Sequence, residues 1–244
     1  MEIKGKNTLV TGAGQGIGEA CAMMLATNGA AKVVLADVNE ANLNQVAEAV
    51  RATGAEAIIK VCDVSKPENV IRLFEEAEAD TGGLDIVHNN AGIMTGEPDF
   101  PDTVMEKMIA VININLIAMM VGTRKAIEQM RARNAPGVII NTASVAAFGP
   151  MPADPAYSTS KAGILNFTQS CQPLHERFNI RVMAVCPGVV DTAIVPHDAE
   201  WLQPSLAAIK IMQPGDIANA VKGIIEDDTL AGDQVTVQNE PAEA

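Results

Sequence analysis

Aromatic side chains are scarce in this 244-residue sequence: one tyrosine, one tryptophan and five phenylalanines make up 3% of it. A core must therefore be aliphatic, and with 48% hydrophobic and 19% charged residues the chain has enough apolar surface to exclude extended disorder. Positive charge is also short. Lysine and arginine number 17 against 30 acidic residues, a formal net charge of -13; no basic cluster offsets that field, so nucleic acid is not an expected partner. His88, His175 and His197 stand isolated, and Cys21, Cys62, Cys171 and Cys186 form no Cys-x-x-Cys pair. A metal site, a disulfide framework and a histidine-based triad have nothing to stand on, and the cysteines read as reduced core thiols. No apolar run approaches the roughly 20 residues of a membrane helix, and Met1 to Lys6 lacks the apolar centre of a signal peptide. The expectation is a cytoplasmic protein with no membrane partner.

What is present is alternation. Short β-branched runs at 8–11, 32–36, 57–61, 85–88, 138–141, 181–185 and 235–237 are separated by helical patterns at 16–28, 40–52, 67–81, 103–131, 155–178 and 214–227. Several runs are apolar at successive positions, as in strands covered on both faces. This predicts a doubly wound α/β fold of the Rossmann type, about seven parallel strands with helices on both faces, and residues 1–244 as a single dinucleotide-binding and catalytic domain. Residues 187–213 form the one long irregular stretch and contain the only tryptophan, Trp201. Such a loop is expected to act as a substrate lid.

Thr11-Gly12-Ala13-Gly14-Gln15-Gly16-Ile17-Gly18 follows the first strand and opens a helix. Glycines there permit a tight turn, close approach of a pyrophosphate, and a helix N-terminus whose free N–H groups face the anion. Asp37 ends the second strand, 19 positions after Gly18, where a carboxylate can accept hydrogen bonds from ribose hydroxyls. Ala13, Gln15, Ala36, Val38 and Asn39 offer no cation to a 2′-phosphate, so NAD is favoured over NADP. Asp63-Val64 and Asn89-Asn90-Ala91-Gly92 follow the third and fourth strands, at the sheet edge where ligands bind.

Tyr157-Ser158-Thr159-Ser160-Lys161 places the only tyrosine and a lysine at i and i+4 on one helical face. A phenol of ordinary pKa about 10 needs roughly 4 kcal/mol to reach about 7. One ammonium at about 4 Å in an effective dielectric of about 20 supplies on the order of 4 kcal/mol before desolvation. Lysine together with an oxidised nicotinamide is therefore expected to activate Tyr157. Ser144 ends the fifth strand, 13 positions before Tyr157, and can hold a substrate oxygen while the proton moves.

Taken together, Thr-Gly-x-x-x-Gly-x-Gly at 11–18, Asn-Asn-Ala-Gly at 89–92, Ser144, Tyr-x-x-x-Lys at 157–161 and Pro187-Gly188-Val189-Val190-Asp191-Thr192 resemble the short-chain dehydrogenase/reductase family. Asp191 to Ile194, Ile225 to Asp228, Leu230 and Gly232 resemble its hydroxyprostaglandin dehydrogenase branch. The resemblance implies Tyr157 as acid/base, Lys161 as its electrostatic partner and ribose ligand, and Ser144 as substrate-oxygen anchor. It implies Asn115 as support for a water-linked proton relay, with Asn113 close by. It also implies cofactor contacts at Gly12, Gln15, Gly16, Ile17, Gly18, Asp37, Asp63, Val64, Asn90, Gly92, Pro187, Gly188, Val190 and Thr192. Two departures stand out: Pro173 should kink or end the helix bearing Tyr157, and the tail at 234–240 lacks the family's common final Gly-Gly.

The expected activity is hydride transfer between NAD and a small apolar secondary alcohol or ketone, in a pocket built from Ile93, Met94, Val145, Ala147, Met151, Val189, Ile194 and Trp201. The alternatives are an NADP-linked ketone reductase and a non-catalytic dinucleotide sensor on the same fold. Residues 105–120 are apolar on nearly every side, which predicts a helix-mediated homodimer or homotetramer.

Overall fold

The aliphatic runs become seven strands: β1 Asn7–Thr11, β2 Lys32–Asp37, β3 Glu56–Val61, β4 Ile86–Asn89, β5 Gly137–Thr142, β6 Ile180–Pro187 and β7 Gln234–Val237. All pair in parallel, in the order β3-β2-β1-β4-β5-β6-β7. This computed structural model describes residues 1–242. The order reverses at β1 and β4, opening a crevice at the carboxyl edge where open α/β sheets take ligands. The helices are α1 Gly16–Thr27, α2 Glu40–Ala52, α3 Pro67–Thr81, α4 Met105–Val111, α5 Ala118–Ala132, α6 Pro155–Ser170, α7 Pro173–Phe178, α8 Gln203–Ala207 and α9 Pro214–Glu226.

Neighbouring strand residues feed opposite layers. Leu9 packs in a cluster with Phe74, Leu84, Met130 and Ile139, while Val10 joins Leu25, Leu43, Val185 and Ile217 on the other face. Each such fully buried side chain contributes roughly 1.5–3 kcal/mol. Local signals set the helix ends. The Asn39 side chain caps α2 by accepting from Asn42 N, Pro67 opens α3, and Gly82, at φ 79°, closes it. At the far end of α9, the buried Arg181 guanidinium donates to the carbonyls of Ile224, Ile225 and Asp227, which no helical N–H can reach.

One expectation changes here. The pattern at 103–131 is a helix only from Met105, and Ile112–Ile117 winds as a π-turn between α4 and α5; periodicity near 3.6 cannot distinguish that wider turn. As expected from Pro173, the pattern at 155–178 divides at Ser170 and restarts with Pro173 as the first residue of α7. Met105–Ala132, which contains an 18-residue stretch of mean hydropathy 1.5, is long and apolar enough to cross a membrane by length and composition alone. Its residues Ala118, Ala126, Ile127 and Met130 pack instead into the sheet cluster with Phe74. Met105 and Ile109 stay 63% and 52% exposed.

Candidate functional site

β1 delivers the chain into the glycine turn at the crevice. Gly12 adopts φ 65°, and a Cβ there would lie 2.9 Å from Ala91 Cα. A Cβ at Gly18 would lie 2.0 Å from Gly12 O, so only glycine lets α1 start directly under the turn. The first turn of α1 has no side-chain cap from Gln15, leaving its N–H groups free for an anion. Asp37 braces the turn: its carboxylate accepts from Gly14 N at 3.0 Å and from Asn39 N at 2.9 Å. Asp63 accepts from Ser65, and that hydrogen bonding holds its carboxyl below the usual range.

Beneath the turn runs a directed chain of hydrogen bonds. Asn90 Nδ2 donates to Thr11 O and Gly12 O at 3.2 and 3.4 Å, while its Oδ1 accepts from Thr142 Oγ1 at 3.3 Å. Since that hydroxyl gives its proton to Asn90, His88 Nε2, 2.8 Å from Thr142 Oγ1, must be the donor. His88 Nδ1 is then a bare buried acceptor without a partner. Protonating it would bury an unpaired charge, and burial drives the His88 pKa down to about 3.

The catalytic candidates meet at the carboxyl ends of β5 and β6. Pro155 and the Asp154 cap start α6: Asp154 accepts from Tyr157 N at 2.9 Å and from Thr95 N at 2.8 Å. Lys161, 3% exposed, donates from Nζ to Thr142 O at 2.8 Å and lies 5.4 Å from the centre of the Tyr157 ring. Ser144 accepts from Ala146 N and reaches Pro187 O at 3.4 Å. Burial dominates the electrostatics of both titrating groups. It raises the Tyr157 phenol above its ordinary value, against the opposing influence of the Ser144 hydroxyl, and lowers Lys161 to about 8. Ionising the phenol therefore requires positive charge that outweighs its desolvation.

Gly12, Gln15, Gly16, Ile17, Asp37, Asp63, Val64, Asn90, Gly92, Ser144, Tyr157, Lys161, Pro187, Gly188, Val190 and Thr192 all line one cavity of about 400 Å³. Gly18 and Asn115 do not. Gly18 lies under the turn, and Asn115 is buried in the π-turn, where its carboxamide accepts from Ile93 N and donates to Ile93 O and Ser160 Oγ. Among the predicted pocket residues Ile93, Met94, Val145, Met151, Val189, Ile194 and Trp201 line the same cavity. Ala147 faces a separate groove beside Phe148 because Val145–Phe148 coils into one 3-10 turn. Pro196 and Leu202, in the irregular 187–213 segment, add apolar cavity surface that sequence reasoning missed. It also missed Asp154, although Asp-Pro ahead of a helical run is a start signal, and the Thr142 carbonyl, which leaves no trace in side-chain identity. No group of metal-ligating side chains occurs among the described residues.

The dinucleotide fits these residues on three structural grounds: the cradle that a Cβ at Gly12 would obstruct, the uncapped start of α1, and the carboxylate of Asp37 at the turn. Comparisons with known proteins agree. The family model described as short chain dehydrogenase matches residues 6–203. The chain is 34% identical to bovine (Bos taurus) 15-hydroxyprostaglandin dehydrogenase [NAD(+)], covering 95% of this chain and 90% of that one. It is 36% identical to 3beta-hydroxysteroid dehydrogenase 1 of Eggerthella lenta, covering 79% and 74% respectively. A crystal structure of a short-chain type dehydrogenase/reductase from Mycobacterium marinum superposes with a TM-score of 0.88 at 26% identity, covering 97% of this chain and 95% of that chain.

Proposed function

Because the chain belongs to the short-chain dehydrogenase family, we propose that it is an NAD-dependent oxidoreductase acting between a small, uncharged, apolar secondary alcohol and its ketone. The observation that carries this reading is the placement of Ser144, Tyr157 and Lys161 in one cavity that runs from the glycine turn to the apolar lid. When bound, the nicotinamide supplies the hydride acceptor and, in its oxidised form, the extra positive charge that burial of the phenol demands.

The chain's own residues do the rest. The Ser144 hydroxyl holds the substrate oxygen, and Tyr157 takes the alcohol proton as phenolate or gives it to the ketone as phenol. Lys161, fixed through Thr142 O, stabilises the phenolate and offers its remaining protons to a ribose. Asn115 supports the proton path by tying the Ile93 backbone to Ser160, the neighbour of Lys161. Positioned acid/base groups of this kind contribute about 10²–10⁴-fold. The Asp37 carboxylate at the turn favours a ribose hydroxyl over a 2′-phosphate, in keeping with the NAD(+) in the bovine relative's name. Apolar walls from Met94, Met151, Trp201 and Leu202 favour an apolar substrate, and the hydroxysteroid in the Eggerthella lenta relative's name fits that class.

The test is to offer uncharged secondary alcohols and ketones with each cofactor and follow nicotinamide absorbance. NAD-linked turnover is expected, with Asp37→Ala narrowing the preference over NADP. Native preference for NADP would overturn the cofactor assignment, and NAD binding with no turnover would make the protein a sensor. The exposed apolar side of Met105–Ala132 supports a homodimer or homotetramer through this helix, which light scattering tests; a monomer at micromolar concentration contradicts it.

A further inference from the structure

The segment after β7 has no part in the proposed chemistry, yet its Asn239 carboxamide fastens both roots of the lid. We propose that Asn239 is a positioning residue that sets how much of the time the lid is closed, so that substrate affinity depends on it while the chemical step does not. Its Oδ1 accepts from Val189 N at 2.7 Å, and its Nδ2 donates to Val189 O at 2.7 Å and to Lys210 O at 3.0 Å. Val189 lies on the outgoing root, against the cavity; Lys210 lies on the returning one. One planar amide thus bridges two strands of chain 21 positions apart in sequence.

The surroundings are shaped for this contact. A Cβ at Gly188 would fall 2.2 Å from Asn239 Oδ1, so the glycine makes room for the amide. The roots also pair directly, with Asp191 N donating to Met212 O at 2.8 Å and Met212 N to Val189 O at 3.2 Å. The tail reinforces the returning root through Lys210 N to Glu240 O at 2.8 Å and Ala242 N to Ala208 O at 3.0 Å. By contrast, the hydrogen bonds of residues 193–207 found among the described residues all stay within the lid. Trp201 and Leu202 are therefore held over the cavity by apolar contact and by the orientation of the roots alone.

If only a fraction of molecules has the lid in place, the apparent substrate dissociation constant rises by the inverse of that fraction. Losing three neutral hydrogen bonds, partly replaced by water, predicts about a tenfold fall in that fraction. Asn239→Asp keeps size and acceptor but removes both donors, and Asn239→Ala removes all three bonds. Trp201 is the only tryptophan, so its emission reports the lid without any substrate.

In both variants the ligand-free protein should show red-shifted Trp201 emission and faster chymotryptic cleavage after Trp201, and the substrate KM should rise, by about tenfold in Asn239→Ala, with kcat within about twofold. Unchanged emission and cleavage would overturn the proposal. So would acceleration shared equally by core sites such as Phe74, which marks general loosening. The kinetic readout rests on the alcohol oxidoreductase reading; were no alcohol turned over, that reading would fail while emission and cleavage still decided the role of Asn239.

Discussion

The glycine turn at 11–18 and the proposed lid at 187–213 line one cavity and are built in opposite ways. In the turn, the contacting surface is backbone. Its shape is fixed by positions where a Cβ would collide with Ala91 or Gly12, and it is braced by Asp37 and Asn90 from two other strands. In the lid, the contacting surface is side chain: Val189, Ile194, Pro196, Trp201 and Leu202 meet the cavity with apolar atoms, and the hydrogen bonds that orient them gather at the roots. A ligand common to a whole family of reactions can be met by a rigid backbone, whereas a variable apolar ligand is met by adjustable side chains.

The largest expected effect lies beneath the turn. The folded protein holds His88 neutral down to about pH 3, while the unfolded chain takes the proton near its ordinary pKa of about 6.5. The unfolded state therefore binds more protons between these values. Stability contributed by neutral His88 is whole above about pH 6.5 and is lost as pH falls toward 3, by up to about 5 kcal/mol. Replacing His88 by Leu should flatten the acid side of a urea-unfolding series; an undiminished slope would show that the turn is not supported in this way.

Next comes Gly18→Val, which forces a side chain against Gly12 O and should lower NAD affinity by at least about 100-fold in calorimetry, since anion binding depends on close backbone approach. The smallest effect belongs to the lid. Trp201→Leu keeps an apolar side chain and should raise substrate KM by about tenfold or less, with NAD affinity unchanged. Equal losses of NAD affinity at Gly18 and Trp201 would erase the contrast between the two regions.

The same contrast explains what could be read from sequence. Strands, the turn and the Tyr157 to Lys161 spacing are legible because each follows from local periodicity or from a few adjacent residues. Asp154, His88 and Asn239 act across 59, 54 and 50 positions of chain, and no local pattern marks such contacts. Ala147 was misplaced because the 3-10 turn after Ser144 alters which side chains face the cavity. The balance at Tyr157 is only half legible: the attraction of Lys161 and of an oxidised nicotinamide can be reckoned from spacing and charge, but the desolvation that opposes it depends on everything packed around the ring.

The claim on which the rest depends is that the Tyr157 hydroxyl moves the proton. The direct measurement is turnover of a secondary alcohol by Tyr157→Phe under saturating NAD, with NAD affinity measured in parallel. A rate loss of at least about 10²-fold with affinity held within a few-fold is the predicted result. A variant that turns over at the wild-type rate contradicts the account.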